Sequence, residues 1–187
     1  MQVPFVSAVP VRTERLVLRP FNRKDLEPLL IMQSDPVAVR YVPYPPRDRP
    51  TVAAVLERKM ASTALRREGD LIELAVTLGE DGNVIGDVLL ALRSIEHGTL
   101  EVGYIFAPAW GGHGYATEAV RAVLELAFGT LGARRVIARV DSRNAASSAL
   151  LTRLGFRLEA HLVENEWLKG ELTSEFDYAL LAREWPS

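Results

Sequence analysis

Residues 110–119 read Trp110-Gly111-Gly112-His113-Gly114-Tyr115-Ala116-Thr117-Glu118-Ala119. A strand-like segment, Leu100 to Phe106, precedes them, and a long amphipathic segment that predicts a helix begins within them. Glycine lets a backbone approach a ligand closely and adopt conformations that a Cβ would forbid. The first turn of a helix adds unpaired N–H groups and a partial positive charge. The segment therefore predicts a binding site for an anion, most naturally a phosphate group.

The rest of the chain alternates between strand and helix patterns. The turn residues Gly79-Glu80-Asp81-Gly82-Asn83 predict a hairpin between the second and third strands, and His97-Gly98 leads into the fourth. The proline-rich stretch from Val42 to Pro50 predicts a loop beside a pocket. We expect strands at 15–19, 71–78, 84–92, 100–106 and 134–140, a strand from 155 that pairs with 176–182, and helices at about 26–32, 51–67, 116–131 and 145–154.

Composition limits the class of protein. With 187 residues, 48% of them hydrophobic, the chain suits one domain, residues 1–187, with a substantial buried core. It has no cysteine, which excludes disulfides, thiolate metal ligands and a cysteine nucleophile, and which is compatible with a reducing cytoplasm. A formal net charge of −2 gives no reason to expect nucleic-acid binding.

Membrane insertion and targeting are not expected either. The segment from Met1 to Phe5 lacks a charged leader followed by a long apolar stretch, and no later apolar run reaches the length that spans a bilayer. We therefore expect a soluble, cytoplasmic protein that binds neither nucleic acid nor membrane. No metal ion is expected, and the oligomeric state, a homodimer included, stays open.

Four separated segments carry a family resemblance. In chain order they are Thr13–Pro20, Glu101–Tyr104, Gly114–Ala119, and Asn144–Ser147 followed by Leu154-Gly155-Phe156. Together they resemble the GNAT superfamily of acetyl-coenzyme-A-dependent N-acetyltransferases, and within it the RimJ/RimL-like branch, over roughly residues 13–185. The resemblance implies an α/β (α+β) GNAT fold: a mixed central sheet of about seven strands, flanked by about four helices and splayed between the fourth and fifth strands.

The resemblance also implies an enzyme. It would move an acetyl group from acetyl-CoA to a primary amine by direct transfer, without a metal. A protein N-terminal α-amine is favoured because its pKa near 8 makes it more often neutral than a lysine at about 10.4. Small-molecule amines, such as aminoglycosides or amino-acid conjugates, and a non-catalytic acyl-CoA sensor remain alternatives. A nucleotide-binding module fits less well, because Thr117 stands where G-x-G-x-x-G needs its third glycine.

Coenzyme contacts follow from the same resemblance. The main chain around Gly111 to Thr117 is expected to bind the coenzyme diphosphate, and the backbone of Ile105 to Ala107 to pair with the pantetheine amides like an added strand. The side-chain amide of Asn144 could bind pantetheine or simply cap a helix. The expected coenzyme-binding residues are Ile105, Phe106, Ala107, Gly111, Gly112, His113, Gly114, Tyr115, Ala116, Thr117, Asn144 and Ser147.

Two residues are the catalytic candidates. Glu101 could take the proton of the amine directly or through water, although a solvated edge charge is the alternative. Strand alternation puts residues 101, 103 and 105 on one face and 102, 104 and 106 on the other. Ser147 could donate its hydroxyl to the departing thiolate, or it could be a first-turn filler of a helix. Leu151 occupies the position at which many family members carry a tyrosine general acid, so that role falls to another group or to water.

Overall fold

A computed structural model describes residues 1–7, 10–79 and 82–186. Two residues of the predicted hairpin turn, Glu80 and Asp81, lie outside this range. Within it the chain forms strands β1 (Phe5–Val6), β2 (Val11–Arg12), β3 (Leu16–Pro20), β4 (Ala64–Leu65), β5 (Leu71–Leu78), β6 (Val84–Ser94), β7 (Thr99–Phe106), β8 (Arg135–Asp141), β9 (Arg157–Leu168) and β10 (Glu171–Leu181).

Four α-helices accompany the strands in the described part of the chain. They are α1 (Leu26–Ser34), α2 (Arg49–Ala61), α3 (Tyr115–Glu125) and α4 (Ala145–Arg153). A π-helical turn, Leu126–Thr130, extends α3, and short 3-10 helices lie at Arg23–Asp25, Pro108–Trp110 and Ala182–Glu184.

In the part of the chain that the structure describes, the main sheet has eight strands in the order β2-β3-β5-β6-β7-β8-β10-β9, and β1 pairs with β4 in a separate ladder. Every neighbouring pair in the main sheet is antiparallel except β7 and β8, which are parallel. The predicted mixed sheet with four helices is confirmed. The strand beyond the expected seven is β2, whose two residues are too short to give a recognisable pattern.

The second helix is shorter than its sequence pattern indicated. It begins after Asp48, whose side chain accepts a hydrogen bond from Thr51 N at 3.1 Å, and ends at Ala61 rather than near residue 67. The next residues cross to the sheet, where Thr63 bridges Ile72. The prediction was wrong because Leu65 continues the helical spacing of apolar residues, yet it is buried as part of a strand.

Two layers of helix cover the two faces of the sheet. The α3/α4 face is packed by a large apolar cluster that includes Leu100 and Val102 of β7, and the α1/α2 face by a second cluster that includes Ile105. Successive residues of β7 thus alternate between the faces, as its sequence predicts. Glu101 and Ile105 therefore share the α1/α2 face.

The strands β7 and β8 diverge along most of their length. They pair only from Thr99 to Glu101 on β7 and from Arg135 to Ile137 on β8. The predicted splay between the fourth and fifth core strands is therefore confirmed. Beyond Glu101 no strand of the described residues pairs with this edge of β7, so alternate N–H and C=O groups along it are available to an extended ligand.

Candidate active site

A cleft with a volume of about 1530 Å³ occupies the opening between β7 and β8. The first turns of α3 and α4 lie at its rim, and the proline-rich loop predicted beside a pocket contributes Tyr44 and Arg47. Ala107 and His113 are not among the residues that line it, and the N–H of Ala107 is already engaged, because it donates to Ile85 O at 2.9 Å. The expected site residues that do line it are Glu101, Ile105, Phe106, Gly111, Gly112, Gly114, Tyr115, Ala116, Thr117, Asn144 and Ser147.

The glycine turn forms one end of the cleft. Gly112 and Gly114 have φ of 81° and 80°, in the left-handed region that favours glycine. In α3 the first main-chain hydrogen bond runs from Glu118 N to Gly114 O at 3.0 Å. The N–H groups of Tyr115 to Thr117 therefore precede the paired part of the helix, and they carry the positive end of its dipole. This geometry suits a phosphate.

One carboxylate anchors the glycine turn to the N-terminal part of the chain. Glu118 accepts hydrogen bonds from Thr13 Oγ1 at 2.6 Å, Arg15 N at 2.9 Å and Arg15 Nε at 2.7 Å. These donors hold the pKa of Glu118 below its ordinary value despite partial burial, which acts in the opposite direction. Arg15 Nη1 also donates to the carbonyl of His113 at 3.0 Å. The turn is thus fixed from outside the helix.

We expect Glu118→Ala to lower the free energy of unfolding by about 1–3 kcal/mol, because it leaves three donors without their acceptor. It should also weaken acetyl-CoA binding, since the turn loses its anchor. Chemical denaturation checks the first effect and calorimetry the second. Glu125→Ala, on an exposed position of the same helix, is the matched control. Equal stability of the two variants would contradict this account of the anchor.

The N-terminus of α4 forms the second polar edge of the cleft. Asn144 caps this helix, because its Oδ1 accepts from Ser147 N at 3.1 Å. The cap engages the oxygen of the Asn144 side chain and leaves its NH₂ group for a ligand. Ser147 Oγ lies 2.6 Å from the hydroxyl oxygen of Tyr104, which reaches it from β7. Two hydroxyls and a helix N-terminus therefore meet at one point.

Tyr104 is a candidate functional residue that the sequence reasoning missed. Burial raises the pKa of its phenol to about 12, while the hydrogen bond with Ser147 acts in the opposite direction. The hydroxyl therefore keeps its proton near neutral pH and can donate it. Leu151, which stands at the family's usual tyrosine position, is fully buried in the core. The available signal was strand alternation, which put Tyr104 on the face opposite Glu101; in the structure α4 covers that face.

Glu101 lies where the two strands part. It is the last residue of β7 paired with β8, and its Oε2 accepts from Arg93 Nε at 2.7 Å. This is its only side-chain hydrogen bond to a described residue, so Oε1 is left for an incoming group. Three residues of strand, roughly 10 Å, separate Glu101 from Tyr104 along β7. A proton that leaves an amine bound near Tyr104 therefore reaches Glu101 best through a water molecule.

The described ranges, residues 1–7, 10–79 and 82–186, have neither a metal-ion cluster nor a membrane-spanning helix. They contain no group of three or more side chains suited to hold a metal ion. No helix within them has both the length and the apolar character needed to cross a bilayer.

Comparison with known proteins gives the family. The model described as "Acetyltransferase (GNAT) domain" matches residues 15–157. The uncharacterized N-acetyltransferase p20 of Bacillus licheniformis is 31% identical over 173 residues, 92% of this chain and 96% of p20. YdaF of Bacillus subtilis (strain 168), named provisionally as a ribosomal N-acetyltransferase, is 27% identical over 174 residues, 92% of this chain and 94% of YdaF.

A solved structure agrees with these sequence matches. The acetyltransferase of the GNAT family from Bacillus anthracis superimposes with a TM-score of 0.83 at 26% identity, covering 94% of this chain and all (100%) of that one. Enzymes of this family use acetyl-CoA as acetyl donor, which fits a cleft that ends in a turn with the geometry to bind a phosphate. The chain belongs to the GNAT family of acetyltransferases.

Proposed function

We propose that this N-acetyltransferase moves the acetyl group of acetyl-CoA directly to a protein N-terminal α-amine. The proposal includes the RimJ/RimL-like branch, a single domain over residues 1–187, and a cytoplasmic location. The provisional name of YdaF supports the acceptor class. The chemistry of the amine supports the same acceptor class, since an α-amine is partly neutral at pH 7 and needs only a weak base to remove its proton.

One observation carries the proposal: the cleft that opens where β7 and β8 diverge is lined by both the glycine turn and the Tyr104–Ser147 hydroxyl pair. The turn offers main-chain donors to the diphosphate, and the free edge of β7 near Ile105 offers hydrogen bonds to pantetheine. A coenzyme bound in this way extends its sulfur toward Ser147. Because the cleft holds the amine and the thioester together, their reaction no longer depends on a bimolecular encounter, and this accelerates the transfer strongly.

The residues divide the proton transfers between the two faces of the sheet. As the new carbon–nitrogen bond forms, the amine loses a proton to Glu101, directly or through water. As the carbon–sulfur bond breaks, the sulfur receives the proton of Ser147 Oγ, and Ser147 takes one from Tyr104 in this relay; solvent then reprotonates Tyr104 and removes the proton held by Glu101. Either oxygen of the Tyr104–Ser147 pair could be the donor; the proposal takes Tyr104 as the donor, which leaves the serine proton free for the sulfur. The positive end of α4 further stabilises the departing thiolate.

We expect Glu101→Gln to lower kcat by about ten- to a hundredfold, because general-base catalysis is lost while water still accepts some protons. The affinity for acetyl-CoA should change little. The deficit should shrink as pH rises, since a larger fraction of the amine is then already neutral. Initial rates from pH 6 to 9 check this, with Glu96→Gln on the exposed turn between β6 and β7 as control. Rates equal to wild type at every pH would remove Glu101 from the mechanism.

The acceptor is tested by release of free thiol from acetyl-CoA over three panels: peptides with free N-termini, the same peptides blocked at the N-terminus but containing lysine, and small amines such as aminoglycosides. The proposal predicts the highest kcat/KM for free N-termini. A higher kcat/KM for small amines would replace the protein acceptor by the small-molecule alternative. Acetyl-CoA binding without thiol release from any panel would indicate an acyl-CoA sensor.

A further inference from the structure

Three charged side chains that the transfer step does not use are buried on the α1/α2 face of the cleft. They are Lys59 of α2, Glu73 of β5 and Asp87 of β6, and each is at most 4% exposed. Lys59 Nζ lies 2.6 Å from Glu73 Oε1 and 3.1 Å from Asp87 Oδ2. One cation therefore faces two carboxylates, and with both ionised the cluster carries one surplus negative charge.

Neither carboxylate has all of its hydrogen bonds. Glu73 Oε2 is buried and has no partner among the described residues, and Asp87 Oδ2 has its ion-pair contact but no well-oriented hydrogen bond. Burial, reinforced by the charge of Glu73, raises the pKa of Asp87 against the opposing effect of Lys59. A second cation at this position would favour the ionised form and satisfy the unpaired oxygens.

The cluster lies at the level of the proposed chemistry. Asp87 is the direct cross-strand partner of Ile105, so their Cβ atoms are roughly 5 Å apart. The preceding residue, Tyr104, contacts Ser147 from the opposite face. All three members of the cluster line the cleft. A group that reaches them is therefore close to the point at which sulfur would leave.

The proline-rich loop forms the adjoining wall. Tyr44 lines the cleft, and burial together with the charge of Asp87 raises the pKa of its phenol. The guanidinium of Arg47 lies 3.5 Å from the centre of the Tyr44 ring. Arg47 is held by Gln33, through Arg47 N to Gln33 O and Arg47 Nη1 to Gln33 Oε1, both at 2.9 Å. The buried carboxylates beside this wall favour a cation over a neutral group, and the Tyr44 ring, which already contacts the Arg47 cation, is compatible with one.

We infer that the Lys59–Glu73–Asp87 cluster binds a second cationic nitrogen of the acceptor, an ammonium or guanidinium group that is not itself acetylated. The inference rests on the proposed function, because it names a preference among the amines that accept acetyl. Two sources share this chemistry. One is a basic side chain beside a peptide N-terminus, and the other is the far ammonium of a small diamine.

The test measures kcat/KM for two matched pairs of acceptors. Ala-Lys-Ala is compared with Ala-norleucine-Ala, and 1,4-diaminobutane with butylamine, so that each pair differs by one cation. We expect the wild type to prefer the dication in one pair by about tenfold or more, as one buried charge-assisted contact allows. The pair that shows the preference identifies the source. Asp87→Asn, which removes the surplus charge and keeps the Lys59–Glu73 ion pair, should bring that ratio close to one.

Further variants separate charge from structure. The double variant K59M/E73Q keeps one net negative charge and should retain the preference, whereas K59M/E73Q/D87N has none and should lose it. Even if Asp87→Asn alone fails to fold, the dication preference of the double variant can be compared with that of the triple variant, and this comparison tests the inference. Glu57→Gln, an exposed position on α2 outside the cleft, is the control with the same charge change and should retain the ratio.

A wild type that treats both members of each pair alike would overturn the inference, as would a preference that survives in the triple variant. The proposed function is judged separately by acetyl-CoA binding and by thiol release with the two monocationic acceptors. If no acceptor releases thiol, the proposed function fails, and the inference fails with it.

Discussion

Gly114→Val is expected to reduce acetyl-CoA affinity by at least about a hundredfold. Gly114 has φ of 80°, and a β-branched side chain is strongly disfavoured there. A Cβ on Gly114 would lie 3.6 Å from Arg15 Nη2, an ordinary contact, so the protein itself leaves room for a first side-chain atom. The loss therefore comes from a displaced main chain and from valine methyl groups in the space that the diphosphate needs. Isothermal titration calorimetry measures it.

A control with similar backbone strain separates these causes. Gly132 also has positive φ, 63°, and it lies after the π-helical turn, away from the cleft. Gly132→Val should lower stability, as Gly114→Val does, but it should leave acetyl-CoA affinity within about twofold of wild type. Equal affinity in the wild type and Gly114→Val would remove the glycine turn from the binding site.

Ser147→Ala is expected to reduce kcat by about a hundredfold, because the departing sulfur loses its proton donor. Tyr104→Phe should cost about tenfold, because Ser147 keeps its own hydroxyl but loses the donor that orients it. The double variant should be little worse than Ser147→Ala, since the tyrosine acts through the serine. Single-turnover rates at saturating acetyl-CoA measure all three variants.

The neighbouring Ser148→Ala is the matched control, because that side chain does not line the cleft. It should keep the wild-type rate. If the double variant lost rate by the product of the two single losses, the two hydroxyls would act independently. That result would contradict a proton path from Tyr104 through Ser147 to the sulfur. An alternative donor would be indicated if the Ser147→Ala rate equalled that of wild type.

Sequence alone predicted the local parts of the site. The turn around Gly112 and Gly114 is set by backbone chemistry within a few residues, and its position between β7 and α3 follows from period-2 and period-3.6 patterns. The alternation of β7 likewise put Glu101 on the same face as Ile105, which the structure shows to be the α1/α2 face. The resemblance supplied the splay, which no pattern in β7 or β8 encodes.

The parts that were missed depend on contacts between distant segments. Tyr104 meets Ser147 across 43 positions in the chain, and nothing near either residue indicates the other. Lys59 lies within the helix predicted at about 51–67, and no local pattern indicates that it is buried against two strands. The end of α2 was mislocated because tertiary packing of Leu65 overrode its local pattern.

The central claim is that main-chain donors between Gly112 and Thr117 bind the coenzyme diphosphate and so position the acetyl group. The most direct measurement is calorimetric titration of the protein with acetyl-CoA and, in parallel, with acetyl-pantetheine, which has the same thioester arm without the diphosphate. We predict saturable one-to-one binding of acetyl-CoA and at least about a hundredfold weaker binding of acetyl-pantetheine. Equal affinities for the two compounds, or no heat with acetyl-CoA, would contradict the claim.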